Sequence, residues 1–373
     1  MASISAQTSP EPPKVTTIKA LTDSSAAALK SIPPHYNYTT NPCENIGAAT
    51  PSPDPQDTVP VIDFSLLTSA DSEQHSIVIQ DLARACQEWG FFLVHVVNHS
   101  VAESLMKAVV DGLEEFFNLR EDEKQEFEGK HVLDPIRCGT SFNPKMEKVF
   151  LWRDFLKVFV HPHFHFPNKP PALSEVAREY CKRSREVARE LLRGISESLG
   201  LEPCYIDKAM DLESSLQVFI GNLYPPCPQP ELAMGLPPHS DHGLLTLIIQ
   251  NDTPTGGLQL KHKGKWVNAN APPNCFLVLT GDHFEILSNG KYRSVLHRAV
   301  VNSQATRISV ALSHGPSLDT VVGPAPELMD GNGKDNQPAA AYIPMRYKEY
   351  LELQQSNQLD GKSCLDRVRI QIS

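Results

Sequence analysis

His239-Ser240-Asp241 sets an imidazole and a carboxylate two residues apart, just ahead of the apolar run Leu244–Ile249. On extended backbone, side chains two apart share a face. The triplet can therefore offer a metal ion one nitrogen and one oxygen from the same side. A third donor has to come from elsewhere, and His297, inside the apolar stretch Ser294–Val301, is the candidate. Two imidazoles and one carboxylate with coordination positions left open suit a non-haem Fe(II) centre. An H-x-D triplet alone is a weak signal, and His297 on spacing alone is equally a satisfied core histidine. His242 follows Asp241 directly and competes as a donor, but neighbouring strand positions point to opposite faces. That leaves His239 as the expected ligand.

An organic anion chelated at such a centre needs a cation for its far end. Arg307 lies ten residues beyond His297, with Ser309 two further on. On a strand this pair shares a face, giving a bidentate guanidinium and a hydroxyl donor. Asn222 and Tyr224 alternate in the same way ahead of Pro225-Pro226-Cys227-Pro228, offering an amide and a phenol on one face. The plainer reading of that second pair is two ordinary strand polars.

Strands must position these groups, and after about residue 215 the texture supplies them. Short β-rich runs alternate with Pro, Gly and Asn: Leu216–Tyr224, Leu244–Gln250, Gly257–His262, Lys265–Val267, Cys275–Thr280, Arg293–Val301 and Arg307–Ser313. This spacing predicts an antiparallel sandwich or barrel. The preceding half reads as helical. Amphipathic stretches occupy Gln74–Trp89, Val101–Asn118 and Ser174–Leu199. Short β-type runs stand at Val59–Phe64 and Phe91–Val97. His131–Asn168 reads as irregular, with its His161-Pro162-His163-Phe164-His165 cluster a surface loop rather than a metal site. Pro344–Gln355 reads as a closing helix. The expected division is a flexible Pro/Ser-rich arm over 1–57, with one short helix near Ile18–Leu29, then a region of mixed helices and strands over 58–205. A β core with its closing helix follows over 206–355, and a tail over 356–373.

Composition narrows the function classes. The 373 residues are 40% hydrophobic and 21% charged, with a net charge of -10 and no Lys/Arg block, which argues against a nucleic-acid partner. Eight scattered cysteines form no C-x-x-C pair and read as reduced thiols. No secretory signal or membrane-spanning run is read. The expectation is a cytoplasmic monomer, with the nucleus also open to it.

Taken together, H-x-D, the distant His297, R-x-S and N-x-Y before P-x-C-P resemble the plant 2-oxoglutarate- and Fe(II)-dependent dioxygenases. The resemblance covers roughly 58–355 and includes Val59-Pro60-Val61-Ile62-Asp63-Phe64, Trp89-Gly90-Phe91-Phe92, Gly256-Gly257-Leu258-Gln259 and Ser288–Arg298. Gly139-Thr140-Ser141-Phe142 and Trp152-Arg153-Asp154-Phe155 look most like members acting on flavanones and other specialised metabolites. The resemblance implies a double-stranded β-helix, or jelly roll, mainly β with flanking helices and a helical N-terminal region. It implies that His239, Asp241 and His297 ligate Fe(II). Arg307 and Ser309 would hold the distal carboxylate of 2-oxoglutarate, with Tyr224 at that end and Asn222 by the metal-chelating end. Ascorbate would support activity, and O2 and a small organic substrate would be the other reactants.

Two departures stand out. Leu93–Val97 is longer than the family's usual spacing, and Ser100 replaces a glycine, so a bulge is expected there. His242 stands where an aromatic or aliphatic residue is usual. By analogy the substrate pocket involves Phe142, Phe155, Ile220, Ser313 and His314. The resemblance implies a small apolar metabolite, such as a flavonoid, other phenylpropanoid, terpenoid or alkaloid, to be hydroxylated, desaturated or demethylated; apolar Ile220, where flavonoid-oxidising members can carry a polar or basic side chain, points within these to a terpenoid or poorly hydroxylated phenolic. Two alternatives stay open. One is a hormone-metabolising member acting on a gibberellin-, auxin- or salicylate-like acid; Lys157 and Arg137 could meet its carboxylate, although both read as solvated surface residues. The other is a catalytically silent small-molecule binder.

Overall fold

The computed structural model describes residues 16–24, 29–38, 59–95, 101–144, 146–252, 256–269, 272–329, 339–356 and 359–371. The strands of its two larger sheets are β1 (Val61–Asp63), β2 (Phe91–His95), β3 (Ile136–Thr140), β4 (Asp154–His161), β5 (Gln217–Tyr224) and β6 (Met234–His239), then β7 (Leu245–Gln250), β8 (Leu258–His262), β9 (Lys265–Asn268), β10 (Cys275–Thr280), β11 (His297–Val300) and β12 (Arg307–His314). Among the described residues, one sheet runs β1-β2-β10-β7-β12-β5-β4-β3 and a second runs β6-β11-β8-β9. Apart from the parallel β1–β2 pair, these ladders are antiparallel. Phe91, Ile248, Leu277 and Leu279 of the large sheet pack in one cluster with Leu258 and Leu260 of the small one. The two sheets thus close the double-stranded β-helix expected from the sequence.

The opposite face of the large sheet is covered by α3 (Glu103–Phe117) and α4 (Pro171–Ser198), which follow α1 (Ile18–Ser24) and α2 (Ser72–Arg84) in the chain. Along α4, Leu173, Tyr180, Val187, Leu191 and Ile195 form the buried stripe. They meet Phe219, Leu247, Val278, Val310 and Leu312 from the strands in a single core. Each such fully buried side chain stabilises the fold by about 1.5–3 kcal/mol, so this interface holds the site-bearing strands in place.

Three sequence expectations need correction. The region 131–168 is not irregular, because it supplies β3 and β4. In β4, Asp154 through Val158 are buried in succession, so the alternation that marks a half-exposed strand is missing. Within this region His163 and His165 are exposed, in keeping with the loop reading of the histidine cluster. Second, the arm is not free along its length. Ile18, Ile32 and Tyr36 are buried with Trp152, Tyr224 and Ala299. The Asp154 carboxylate accepts from the backbone N–H groups of Ile18 (2.9 Å) and Lys19 (2.8 Å) at the start of α1. Third, a short helix, α5 (Asp282–Leu287), sits between β10 and β11 where none was expected. The expected bulge after Leu93 falls mostly on residues 96–100, outside the described set.

The closing helix was anticipated and forms as α6 (Tyr347–Ser356), followed by α7 (Ser363–Val368). It braces the loop that carries Asp241. Gln354 donates to the Ser240 carbonyl (3.0 Å), Tyr347 Oη lies 2.8 Å from His242 Nδ1, and Tyr350 donates to Asp282 Oδ2 at 2.7 Å. Burial pushes the Asp282 carboxyl up to about 6, and the Tyr350 hydroxyl counters that. Tyr350→Phe removes a donor from this buried carboxylate and is expected to cost about 1–3 kcal/mol, readable as a lower midpoint in urea unfolding.

Candidate active site

His239 ends β6 and His297 begins β11, and the antiparallel register sets these two residues directly opposite each other. Their rings lie 4.1 Å apart. Beyond His239 the chain leaves the strand and turns, and this turn swings Asp241 back toward both imidazoles. Asp241 Oδ1 is 3.8 Å from His239 Nε2 and 3.7 Å from His297 Nε2. One donor atom from each of the three falls within 4.8 Å of the others, the spacing of a metal site.

The turn is fixed by its backbone. The Asp282 N–H donates to the Asp241 carbonyl (2.8 Å) and the Gly281 N–H to the Leu244 carbonyl (2.9 Å). A side chain at Gly281 would bring its Cβ within 2.2 Å of the Gly243 carbonyl oxygen, so this close approach requires glycine.

The imidazoles are set up as ligands. His239 Nδ1 lies 2.8 Å from the Pro237 carbonyl and His297 Nδ1 3.3 Å from the Val295 carbonyl. A ring nitrogen facing a carbonyl must carry the proton, which leaves each Nε2 lone pair for a metal. Burial, and after it the neighbouring His297 ring, holds His239 below its ordinary range, so it stays neutral. Burial alone would raise Asp241, but the two imidazoles beside it win and hold it ionised. A neutral-nitrogen pair and a carboxylate suit a divalent cation.

His242 does not behave as the strand argument held. Residues 240–244 are not in a strand, so His242 is not turned to the opposite face; it lines the same cleft. It is still not one of the three clustered donors, and its Nδ1 lies against Tyr347 Oη.

The far end of the cleft follows the register of β5 and β12. Arg307 pairs with Tyr224 and Ser309 with Asn222. All four line one cleft with the three metal-site residues; its volume is about 990 Å³, open mouth included. Arg307 is 3% exposed. Its Nε and Nη2 donate to Gln250 Oε1 at 3.1 and 2.9 Å, and its guanidinium lies over the Tyr224 ring at 5.2 Å. No carboxylate lies within 4 Å of it among the described residues. Asn222 donates to Ser309 Oγ (3.3 Å) and accepts from Arg153 Nε (2.8 Å).

Gly257 makes room for the guanidinium. Its φ is +139°, and a Cβ there would come within 2.6 Å of Arg307 Cδ. Gly257→Ala is expected to displace Arg307 at a cost of about 1–3 kcal/mol. A rise of about ten-fold or more in the KM for an anion held by Arg307 would follow, with metal affinity kept.

Phe142, Phe155, Ile220 and Ser313 line the cleft as expected, and His314 does not. On β12 the odd-numbered Arg307, Ser309, Ala311 and Ser313 face the cleft, while Ile308, Val310 and Leu312 face the helices. His314 falls on the helix side, and burial pushes its imidazole down to about 3. Lys157 and Arg137 also line the cleft, and Lys157 is buried, so the solvated-surface reading fails for it. Arg153 was missed altogether. The signal was present: counting back by two from Phe155 gives Arg153, and counting forward gives Lys157.

Comparison with known proteins identifies the family. A family profile described as the 2OG-Fe(II) oxygenase superfamily matches residues 214–316, and one described as the N-terminal part of a non-haem dioxygenase in morphine synthesis matches 59–176. The chain is 45% identical over 326 residues to 2-oxoglutarate-dependent dioxygenase 19 of Oryza sativa subsp. japonica, covering 87% of this chain and 93% of the relative. It is 38% identical over 316 residues to flavanone 3-dioxygenase 2 of the same species, covering 83% and 87%. A crystal structure of JOX2 in complex with 2OG, Fe and JA superposes with a TM-score of 0.82 at 29% identity, covering 97% of this chain and 99% of that one.

Proposed function

Because this chain belongs to the 2OG-Fe(II) oxygenase superfamily, we propose that it couples 2-oxoglutarate decarboxylation to oxidation of a small, largely apolar plant specialised metabolite. It is a dioxygenase with Fe(II) as cofactor and 2-oxoglutarate as cosubstrate. The observation that carries the reading is the meeting in one cleft of the His239, Asp241 and His297 donor cluster and the uncompensated Arg307.

In this reading the Nε2 atoms of His239 and His297 and a carboxylate oxygen of Asp241 hold the iron. Bound Fe(II) with the keto acid supplies the activation of O2 that drives substrate oxidation and releases succinate and CO2. The chain's part is positioning. Arg307 and Ser309 take the distal carboxylate of 2-oxoglutarate, with Tyr224 closing that end. Asn222, held between Ser309 and Arg153, orients polar groups nearer the metal. Phe142, Phe155, Ile220, Leu236 and Ile248 present the apolar surface for the substrate and keep water from it.

A flavonoid, other phenylpropanoid, terpenoid or alkaloid skeleton fits such walls, and hydroxylation, desaturation or demethylation are the outcomes open to it. A second reading, a gibberellin-, auxin- or salicylate-like acid as substrate, is favoured by one observation: the burial of Lys157 in the cleft wall. A silent binder would have no need of the full ligand and anion-holding set. We place the enzyme in the cytoplasm as a monomer; the buried thiols of Cys86, Cys138, Cys181, Cys227 and Cys364 suit a reducing compartment. No helix among the described residues is long and apolar enough to cross a membrane.

The test is succinate formation by purified protein given Fe(II), ascorbate, 2-oxoglutarate and a plant metabolite extract. Succinate above a His297→Ala control is expected, with mass spectrometry showing a substrate that gains an oxygen or loses two hydrogens. No succinate above that control sinks the enzymatic reading.

A further inference from the structure

Lys157 is 7% exposed, and its ammonium donates to Gln355 Oε1 of α6 at 2.6 Å. Among the described residues no carboxylate lies within 4 Å of it. The register of β3, β4 and β5 sets Arg137 on one side of it and Ile220 on the other, and all three line the cleft. Arg153 stands four residues back along the chain on the same wall, engaged with Asn222 and the Ser141 carbonyl. Among the described residues the one carboxylate lining this cleft is Asp241, which belongs to the metal-donor cluster. Asp134 acts on Arg137, and Glu147 and Asp154 act on Arg153, whereas among the described residues no carboxylate offsets Lys157.

A buried ammonium without an anion is expensive, by several kcal/mol even after relaxation. Burial, and after it the nearby Arg137 and Arg153, holds Lys157 well below its usual range. A carboxylate entering the cleft would restore the charge that burial disfavours.

That partner is not 2-oxoglutarate. Arg307 pairs with Tyr224, whereas Lys157 pairs with Ile220, four residues away along β5. At a rise of about 3.3 Å per residue the two levels are roughly 13 Å apart. A five-carbon diacid anchored at Arg307 and turned toward the metal does not reach the Lys157 level.

We propose that Lys157, with Arg137 beside it and Gln355 as the neutral partner, is a carboxylate-holding subsite, and that the oxidised substrate is a small amphiphilic organic acid. The inference rests on the reading of this cleft as an oxygenase active site and adds the charge of the substrate. The acid's carboxylate meets the Lys157 ammonium, and its apolar body lies along Ile220, Phe155 and Ala311 toward the metal. Gln355 comes from α6, so closure of that helix over the cleft and recognition of the acid share one residue.

The experiment uses the full-length enzyme with Fe(II), ascorbate and 2-oxoglutarate. A plant extract is separated on an anion exchanger into acidic and neutral pools, and part of the acidic pool is methyl-esterified. Succinate is expected from the acidic pool, with a fall of ten-fold or more after esterification. Lys157→Met should erase the difference between free and esterified acids, chiefly through KM, and Lys157→Arg should retain most of it. Anaerobic 2-oxoglutarate binding checks that each variant is folded. Succinate from the neutral pool alone, or equal turnover of free and esterified acids by the unaltered enzyme, overturns the carboxylate subsite and leaves the oxygenase reading intact. A Lys157→Met enzyme that keeps its preference for the free acid also overturns it. If neither pool supports succinate above a His297→Ala control, the oxygenase reading falls and the subsite falls with it.

Discussion

His297→Ala is expected to lower succinate formation to below about one-hundredth and to strip the protein of tightly held Fe(II). Changes to groups that merely orient a metal ligand cost about 10–100-fold, and removal of a ligand exceeds that. The structure gives the reason. His297 Nε2 is one of three donor atoms gathered around a single point, and its Nδ1 proton is already committed to the Val295 carbonyl. Alanine leaves one imidazole and one carboxylate, and no other imidazole is free to step in. His242 lines the cleft, but it is not part of the donor cluster. Metal content after dialysis measures the effect. The matching contrast is His242→Ala, which should retain about one equivalent of iron per chain. Iron retained by His297→Ala and lost by His242→Ala would assign the ligands wrongly.

Arg307→Gln carries the second large effect, on 2-oxoglutarate. Arg307 is buried, lies over the Tyr224 ring and donates to the neutral Gln250, so its charge is uncompensated until an anion arrives. Truncating one partner of a buried, hydrogen-bonded charge pair costs about 2–5 kcal/mol. At 1.4 kcal/mol per decade, that raises the KM for 2-oxoglutarate by between about 30-fold and a few thousand-fold. Fe(II) affinity should hold, because Arg307 does not touch the metal-binding side chains. A KM that rises less than three-fold would mean the cosubstrate is anchored elsewhere in the cleft.

How far the sequence could be read depended on which faces of a strand are buried differently. On β12, cleft-facing Arg307 and Ser309 alternate with core-facing Ile308 and Val310, so the polar positions stood out and the register with Asn222 and Tyr224 followed. On β4 the alternation is hidden. Arg153 and Lys157 are buried in the cleft wall while Leu156 and Val158 are buried against the helices. A strand buried on both faces gives no period to count. The stretch also sits among prolines and histidines, so it read as loop; Lys157 and Arg137 were weighed as pocket cations but read as solvated, and Arg153 was not singled out.

The strand carrying His239 was obscured in another way. β6 contains Pro237 and Pro238, residues that usually argue against a strand. They are tolerated because β6 lies at the edge of its four-stranded sheet, where backbone donors are not all required. The ordered parts of the N-terminal arm were hidden by composition. Ile18, Ile32 and Tyr36 are isolated apolar residues in a Pro/Ser/Thr-rich setting, and only the tertiary contact with Trp152 and Tyr224 reveals their role. His314 shows the reverse error: the segment was placed correctly, and one step of strand parity put the side chain on the helix side.

The most direct measurement is an anaerobic titration of Fe(II)-loaded protein with 2-oxoglutarate, followed by the visible charge-transfer absorption of a keto-acid chelate of iron. The unaltered protein should develop the band and saturate at one equivalent. Arg307→Gln should develop the same band only at concentrations at least 30-fold higher, within the range set by about 2–5 kcal/mol, and His297→Ala should not develop it. A band that forms in His297→Ala as in the unaltered protein, or no band in the unaltered protein despite bound Fe(II), would contradict the assignment of this cleft.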